Sequence, residues 1–157
     1  MNVLIVTESC FGNTARVARA VAAGLRSKGA EVTIAEAAAA PALDGVDLLL
    51  VGAPTHNMGL PGPASRGQAA TKGGNPPATG VAEWLDRLSG FGGRAATFDT
   101  VTGTGFFSGS AAKGIQKRLR RSRVDVVARE SFVVKATEGP LADGELDRAE
   151  LWGAALA

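Results

Sequence analysis

The stretch Val3-Leu4-Ile5-Val6-Thr7-Glu8-Ser9-Cys10-Phe11-Gly12-Asn13-Thr14 joins an apolar run to a helical pattern that starts near Ala15. It reads as a strand, a hydroxyl-rich loop and a helix. A helix start leaves four backbone N–H groups without intrahelical partners and carries partial positive charge, so it attracts an anion placed before it. Ser9 and Thr14 add hydroxyl donors, and Gly12 lets the backbone approach closely. The loop holds no lysine and lacks both the GxxxxGK[ST] and the GxGxxG spacings, which argues against a nucleoside triphosphate or a dinucleotide. A compact monophosphate held mainly by neutral donors fits this loop, with an ordinary capped turn as the alternative.

Outward from that stretch, 157 residues that are 45% hydrophobic and 20% charged predict one domain spanning residues 1–157. A first strand at Asn2 leaves no room for a signal peptide, and no apolar run approaches the ~20 residues that span a bilayer. The expectation is a cytoplasmic protein without a membrane segment. A single cysteine, Cys10, and a single histidine, His56, leave no internal disulfide and no zinc cluster. Difficult redox chemistry would therefore need an organic cofactor. The net charge of +2 supplies no reason for a nucleic-acid partner.

Val17, Val21 and Leu25 recur at helical spacing, and Lys28-Gly29 ends that helix. Glu31 to Glu36 alternates as an edge strand, and Ala35 to Leu43 has room for a short helix before Pro41 limits it. Val46 to Val51 is a near-continuous apolar run, broken only by Asp47, as expected of a central parallel strand. From Pro54 to Thr79, five of the seven prolines and little periodicity predict a long irregular loop, of the kind that is usually functional. Val81, Trp84, Leu85 and Leu88 mark a helix with Trp84 in the core. Arg94 to Thr100 reads as the fourth strand, and Val101 to Gly109 as a second irregular loop. Ser110 caps a basic helix to about Arg121. Val124 to Val134 reads as a fifth strand interrupted at Arg129 and Glu130, and Asp143 as the cap of a last helix burying Leu146, Ala149, Trp152 and Leu156. Strands alternating with helices predict a three-layer α/β sandwich on a parallel sheet.

Ser9-Cys10-Phe11-Gly12-Asn13-Thr14, directly after the first strand, resembles the FMN-phosphate loop of the flavodoxin family, whose usual pattern is [ST]-x-T-G-x-T. Ser9, Gly12 and Thr14 match. Phe11 stands where a threonine is usual, a variant similar to flavodoxin-like quinone reductases. The resemblance implies a five-stranded parallel sheet of order 2-1-3-4-5 with helices on both faces. It also implies a ligand beyond the carboxyl ends of the strands where the order reverses, a rule that flavodoxin itself illustrates. On this chain Ser9 to Thr14 would hold the phosphate and Pro54-Thr55-His56-Asn57-Met58-Gly59 one face of the flavin ring. Asp99, Thr100, Val101 and Gly103 would meet its pyrimidine edge or other face, with Asp99 either accepting from the imide or only capping its own loop. Many flavodoxins sandwich the ring between tryptophan and tyrosine, whereas this chain has no tyrosine and neither tryptophan in a candidate loop. His56, Met58, Phe106 and Phe107 are the substitutes. Cys10 is either a thiol activated by the helix end or an inert loop residue.

The implied function is an FMN-binding electron-transfer protein working between a reductase and an acceptor. The alternatives are an NAD(P)H-dependent FMN quinone reductase and an FMN-free interaction domain. A strand 3 that ends in Gly52-Ala53-Pro54 rather than an aspartate argues against a phosphoacceptor receiver domain. Six of the 17 Lys and Arg residues fall between Lys113 and Arg123. They form either a solvated helix face or a docking site for a flavin- or iron–sulfur-containing redox partner. With a pI near 9.0, the chain is expected to stabilise reduced flavin better than acidic flavodoxins do.

Overall fold

The computed structural model describes residues 1–105 and 108–157. Phe106 and Phe107 lie outside the described residues. Five parallel strands, β1 (Asn2–Thr7), β2 (Glu31–Glu36), β3 (Leu48–Pro54), β4 (Arg94–Val101) and β5 (Asp125–Val133), form one sheet in the order β2-β1-β3-β4-β5. Helices α1 (Asn13–Ser27) and α5 (Glu145–Leu156) cover one face, and α3 (Val81–Arg87) and α4 (Ala111–Arg121) the other. The remaining helix, α2 (Pro63–Thr71), lies in the β3–α3 connection.

Strand alternation builds both cores. Val3, Ile5, Leu48 and Leu50 point to α1 and α5, while Leu4, Val6, Leu49 and Val51 point to α3 and α4. Trp84 is buried in the second core, as expected. On the first face Trp152 meets Phe98 and Phe132 edge-on at 6.2 and 6.0 Å between centroids. The crossing of α1 and α5 depends on two glycines: a Cβ on Gly24 would lie 1.9 Å from the Glu150 carbonyl oxygen, and one on Gly153 2.2 Å from that of Val21. Gly153→Ala is therefore expected to force the helices apart at a cost of about 1–3 kcal/mol. Thermal unfolding should move down by roughly 3–10 °C, and an unchanged midpoint would contradict this packing.

Several local expectations need correction. Strand β3 starts at Leu48 rather than Val46, because Asp47 turns its carboxylate to the Asn2 amide (2.7 Å) before pairing begins. Strand β5 runs unbroken through Arg129 and Glu130, since an edge strand can send polar side chains outward: Arg129 reaches Gln116, and Glu130 reaches Arg148. Only a three-residue 3-10 turn, Ala37–Ala39, forms in the alanine run. Asp143 does not cap α5. Gly144, at φ 82°, stands at the cap, and Glu145 ties the helix start to β5 by accepting from the Val133 amide (2.6 Å).

The largest correction concerns residues 54–79, which are not irregular throughout. Helix α2 has no apolar stripe; it turns Ser65, Arg66 and Ala69 inward. Its cohesion is ionic. Arg66 Nε donates to Glu8 Oε2 (2.7 Å) and its Nη2 to Glu8 Oε1 (3.1 Å) and Glu83 Oε2 (3.0 Å), with Nη1 also on Glu83. Glu8 Oε1 additionally accepts from the Val81 amide (3.0 Å). One buried guanidinium thus joins β1, α2 and α3. The signal available in the sequence was Gly62-Pro63 followed by Ser65, whose hydroxyl accepts from the Gly62 amide (3.1 Å) in a capping arrangement.

Candidate functional site

Parallel strands deliver their carboxyl ends to one side, so the loops after β1, β3 and β4 converge. They enclose a cleft of about 210 Å³, completed by α2 and by the β5–α5 connection.

The first wall is the loop ahead of α1. Gly12 sits at φ 90°, a left-handed conformation that costs glycine little. Ser9 Oγ accepts from the amides of Gly12 (3.1 Å) and Ala15 (3.4 Å), which folds the loop over the helix start. The amides of Phe11, Asn13 and Thr14 have no hydrogen-bond partner among the described residues. Thr14 Oγ1 lies 2.9 Å from Thr100 Oγ1 and bridges the first loop to the end of β4. Phe11 lies against Gly74, and the Asn75 amide donates to the Cys10 carbonyl (2.7 Å), so the chain after α2 runs beside the loop.

The second wall is a tight turn. His56 and Gly59 exchange both backbone hydrogen bonds at 2.8 Å, and the intervening Asn57 and Met58 both have positive φ, 46° and 69°. Met58 at the tip is 58% exposed. His56 Nδ1 lies 3.1 Å from Ser65 Oγ on α2, and burial, ahead of nearby charges, holds its pKa below the ordinary value. The imidazole is neutral at pH 7.

Of the residues singled out from the sequence, Ser9, Cys10, Phe11, Asn13, Thr14, Pro54, Thr55, His56, Asn57, Met58 and Thr100 line this cleft. Gly12 and Gly59 belong to the same loops but are not among the described lining residues. Asp99 is placed elsewhere. It is fully buried, and its Oδ2 accepts from Ser110 Oγ (2.6 Å), the Ala112 amide (2.9 Å) and Thr55 Oγ1 (3.1 Å). That oxygen serves the start of α4, where a helix attracts negative charge, while Oδ1 is buried without a hydrogen-bond partner among the described residues. Val101 is buried, and Gly103 lines a neighbouring depression. The activated-thiol alternative for Cys10 is overturned: burial first, then the Glu8 charge, pushes its pKa up to about 11, and the side chain is enclosed.

Sequence reasoning missed Ser65, Gln68, Ala69 and Lys72 on and just after α2, together with Thr102, Ser108, Val134 and Thr137. Lys72 matters most. It is the one charged side chain among the described lining residues, none of which is a carboxylate. Among the described residues there is also no cluster of metal-ligating side chains, and no helix is long and apolar enough to cross a membrane.

A parallel sheet of order 2-1-3-4-5 with helices on both faces and a cleft at its reversal point defines a flavodoxin-like fold. Residues 4–65 match the family described as a flavodoxin domain. The solved structures that resemble the chain include a flavodoxin from the domain Archaea (21% identity, covering 100% of this chain and 96% of that one, TM-score 0.69). Oxidised flavodoxin 1 from Bacillus cereus gives 18% identity, 98% and 95% coverage and TM-score 0.68. Two-electron-reduced Megasphaera elsdenii flavodoxin gives 22%, 99% and 99%, and 0.63. No curated protein matches. The chain thus has the flavodoxin-like fold, and its residues 4–65 carry the match to the flavodoxin-domain family.

Proposed function

We propose that this protein binds FMN in the cleft and carries electrons between a reductase and an acceptor. The observation that carries the reading is the set of amides at Phe11, Asn13 and Thr14 without partners among the described residues, in a loop lining a cleft whose described lining holds one cation and no carboxylate. Those donors suit a phosphate monoester dianion, and the residues present therefore fit the group. FMN, when bound, supplies the redox chemistry. The chain's part is to hold the phosphate at the start of α1, with Thr14 anchored to Thr100. The 56–59 turn, stiffened by its paired hydrogen bonds, would flank the ring and limit water on one side. Met58 stands in for an aromatic ring, offering a polarizable surface. Structural neighbours described in oxidised and two-electron-reduced forms support a redox role.

The test is a titration of the apoprotein with FMN, riboflavin and FAD, read by quenching of flavin fluorescence. Tight binding that favours FMN over riboflavin is the expected result. A folded chain that binds none of them would leave a cofactor-free interaction domain. The α2 wall favours a second reading, an NAD(P)H-dependent quinone reductase with Ser65, Gln68 and Lys72 facing a second substrate. NAD(P)H oxidation in the presence of a quinone would establish it; its absence in the FMN-loaded protein leaves the carrier.

A further inference from the structure

Between Ala111 and Arg129 lie seven of the 17 Lys and Arg residues and one of the 15 Asp and Glu residues, a net +6 in a chain of net +2. The remainder is thus net −4, and the molecule is electrically polarised. The fold concentrates the positive end. Because α4 buries Ala111, Ala112, Ile115 and Leu119, it exposes Lys113, Lys117, Arg120 and Arg121 along the opposite side. None of these four makes an ion pair among the described residues, whereas Arg118 leans on Asp86 (3.4 Å). At the other edge of the sheet, β2 and the segment after it expose Glu31, Glu36, Asp44 and Asp47.

The position of the charge relative to the cleft gives it meaning. Ser108, just before α4, lines the cleft. A Cβ on Gly109 would lie 2.3 Å from Met58 Cα, so the start of α4 rests against the exposed turn tip. Beside it, Lys113 and Arg129 flank a depression whose carboxylate, Glu130, is already paired with Arg148 (3.1 Å). The basic ridge therefore begins at the cleft mouth.

We propose that the α4 face, from Lys113 to Arg121 with Arg129 beside it, is the docking surface for an acidic redox protein, which it brings up to the cleft. Electron transfer across it rests on the FMN reading above; the association itself does not. Charge of this kind steers encounter and orients a polarised molecule before contact. A protein partner fits better than a nucleic acid, because no aromatic residue lies between Ala111 and Arg129 to stack a base. Each electron lost by the reduced protein is gained by the partner's oxidised iron–sulfur centre.

The test uses an oxidised acidic [2Fe–2S] ferredoxin as probe, with a basic c-type cytochrome and a mixed-sequence DNA duplex as comparisons. Affinity is measured by titration and located by amide chemical shifts. The quadruple variant Lys113→Glu, Lys117→Glu, Arg120→Glu, Arg121→Glu is expected to bind ferredoxin at least about tenfold more weakly. Raising salt from about 20 to about 200 mM should weaken the native protein comparably. Reversing Arg19 and Lys28, exposed on the far side of the sheet, should change affinity by less than about twofold. The proposal is overturned if the quadruple variant binds ferredoxin normally or if the shifts map away from α4. It is equally overturned by tighter binding of the duplex or of the cytochrome, or by a basic face covered in solution by the acidic edge of a second copy. A chain that binds ferredoxin through α4 but no FMN would keep this surface while losing the carrier. A chain loaded with FMN whose electron transfer ignores the reversals would keep the site and lose the surface.

Discussion

Arg66→Met is expected to lower stability by about 3–5 kcal/mol, because it strands the Glu8 carboxylate, whose side chain is 0% exposed, without its counter-ion. For a chain of this size that corresponds to a fall in unfolding temperature of roughly 10 °C. The double variant Arg66→Met with Glu8→Gln should recover part of the loss, since glutamine still accepts from the Val81 amide but carries no charge. Chemical denaturation of the three proteins measures both steps. A single variant within about 1 kcal/mol of the native protein would mean that Glu8 is not held as a charge by Arg66. The cluster also carries a pH signature. Arg66 holds the Glu83 pKa down at about 2 against an ordinary 4.5. Its contribution is therefore complete above pH 4.5 and lost as pH falls toward 2. The native protein should lose stability through that window, and the Arg66→Met variant should lose less.

Ser9→Asp is expected to weaken FMN binding by about 100-fold while leaving riboflavin almost unaffected. Aspartate is as good an acceptor as serine for the Gly12 and Ala15 amides, so the loop keeps its fold. What changes is charge. A carboxylate near a phosphate dianion costs about 4 kcal/mol per charge pair at 4 Å in a partly screened site, and solvent reduces that by some fraction. Lys72→Gln is the counterpart, with an expected loss of about tenfold for FMN that shrinks as salt rises. Riboflavin, which lacks the phosphate, reports on the ring contacts alone. Equal losses for both ligands in Ser9→Asp would show that the loop does not carry the phosphate.

The residues that made the architecture readable are those whose role is local. Val3 and Ile5 against Leu4 and Val6, or Leu48 and Leu50 against Leu49 and Val51, alternate because a parallel strand buried on both faces must feed two cores. Ser9, Gly12 and Thr14 are neighbours in sequence and stay neighbours in space, so a loop motif could announce the helix start. Asp99 left two roles open in the sequence, and only the fold brings Ser110 and Ala112 round on α4 to donate to one of its oxygens, Oδ2.

The sequence by itself therefore determined the three layers, the succession of strands and helices and the place where α1 starts, since each follows from residue type at short spacing. Only the tertiary structure decided that α2 forms a wall, that Lys72 is the one charge among the described residues of the cleft lining and that Cys10 is buried. It alone set a basic ridge against Met58. Arg66 and Glu8 are 58 positions apart. Such a pair leaves no periodic trace in the chain, because its energy comes from desolvation and Coulomb attraction that exist only once folding has brought both groups out of water.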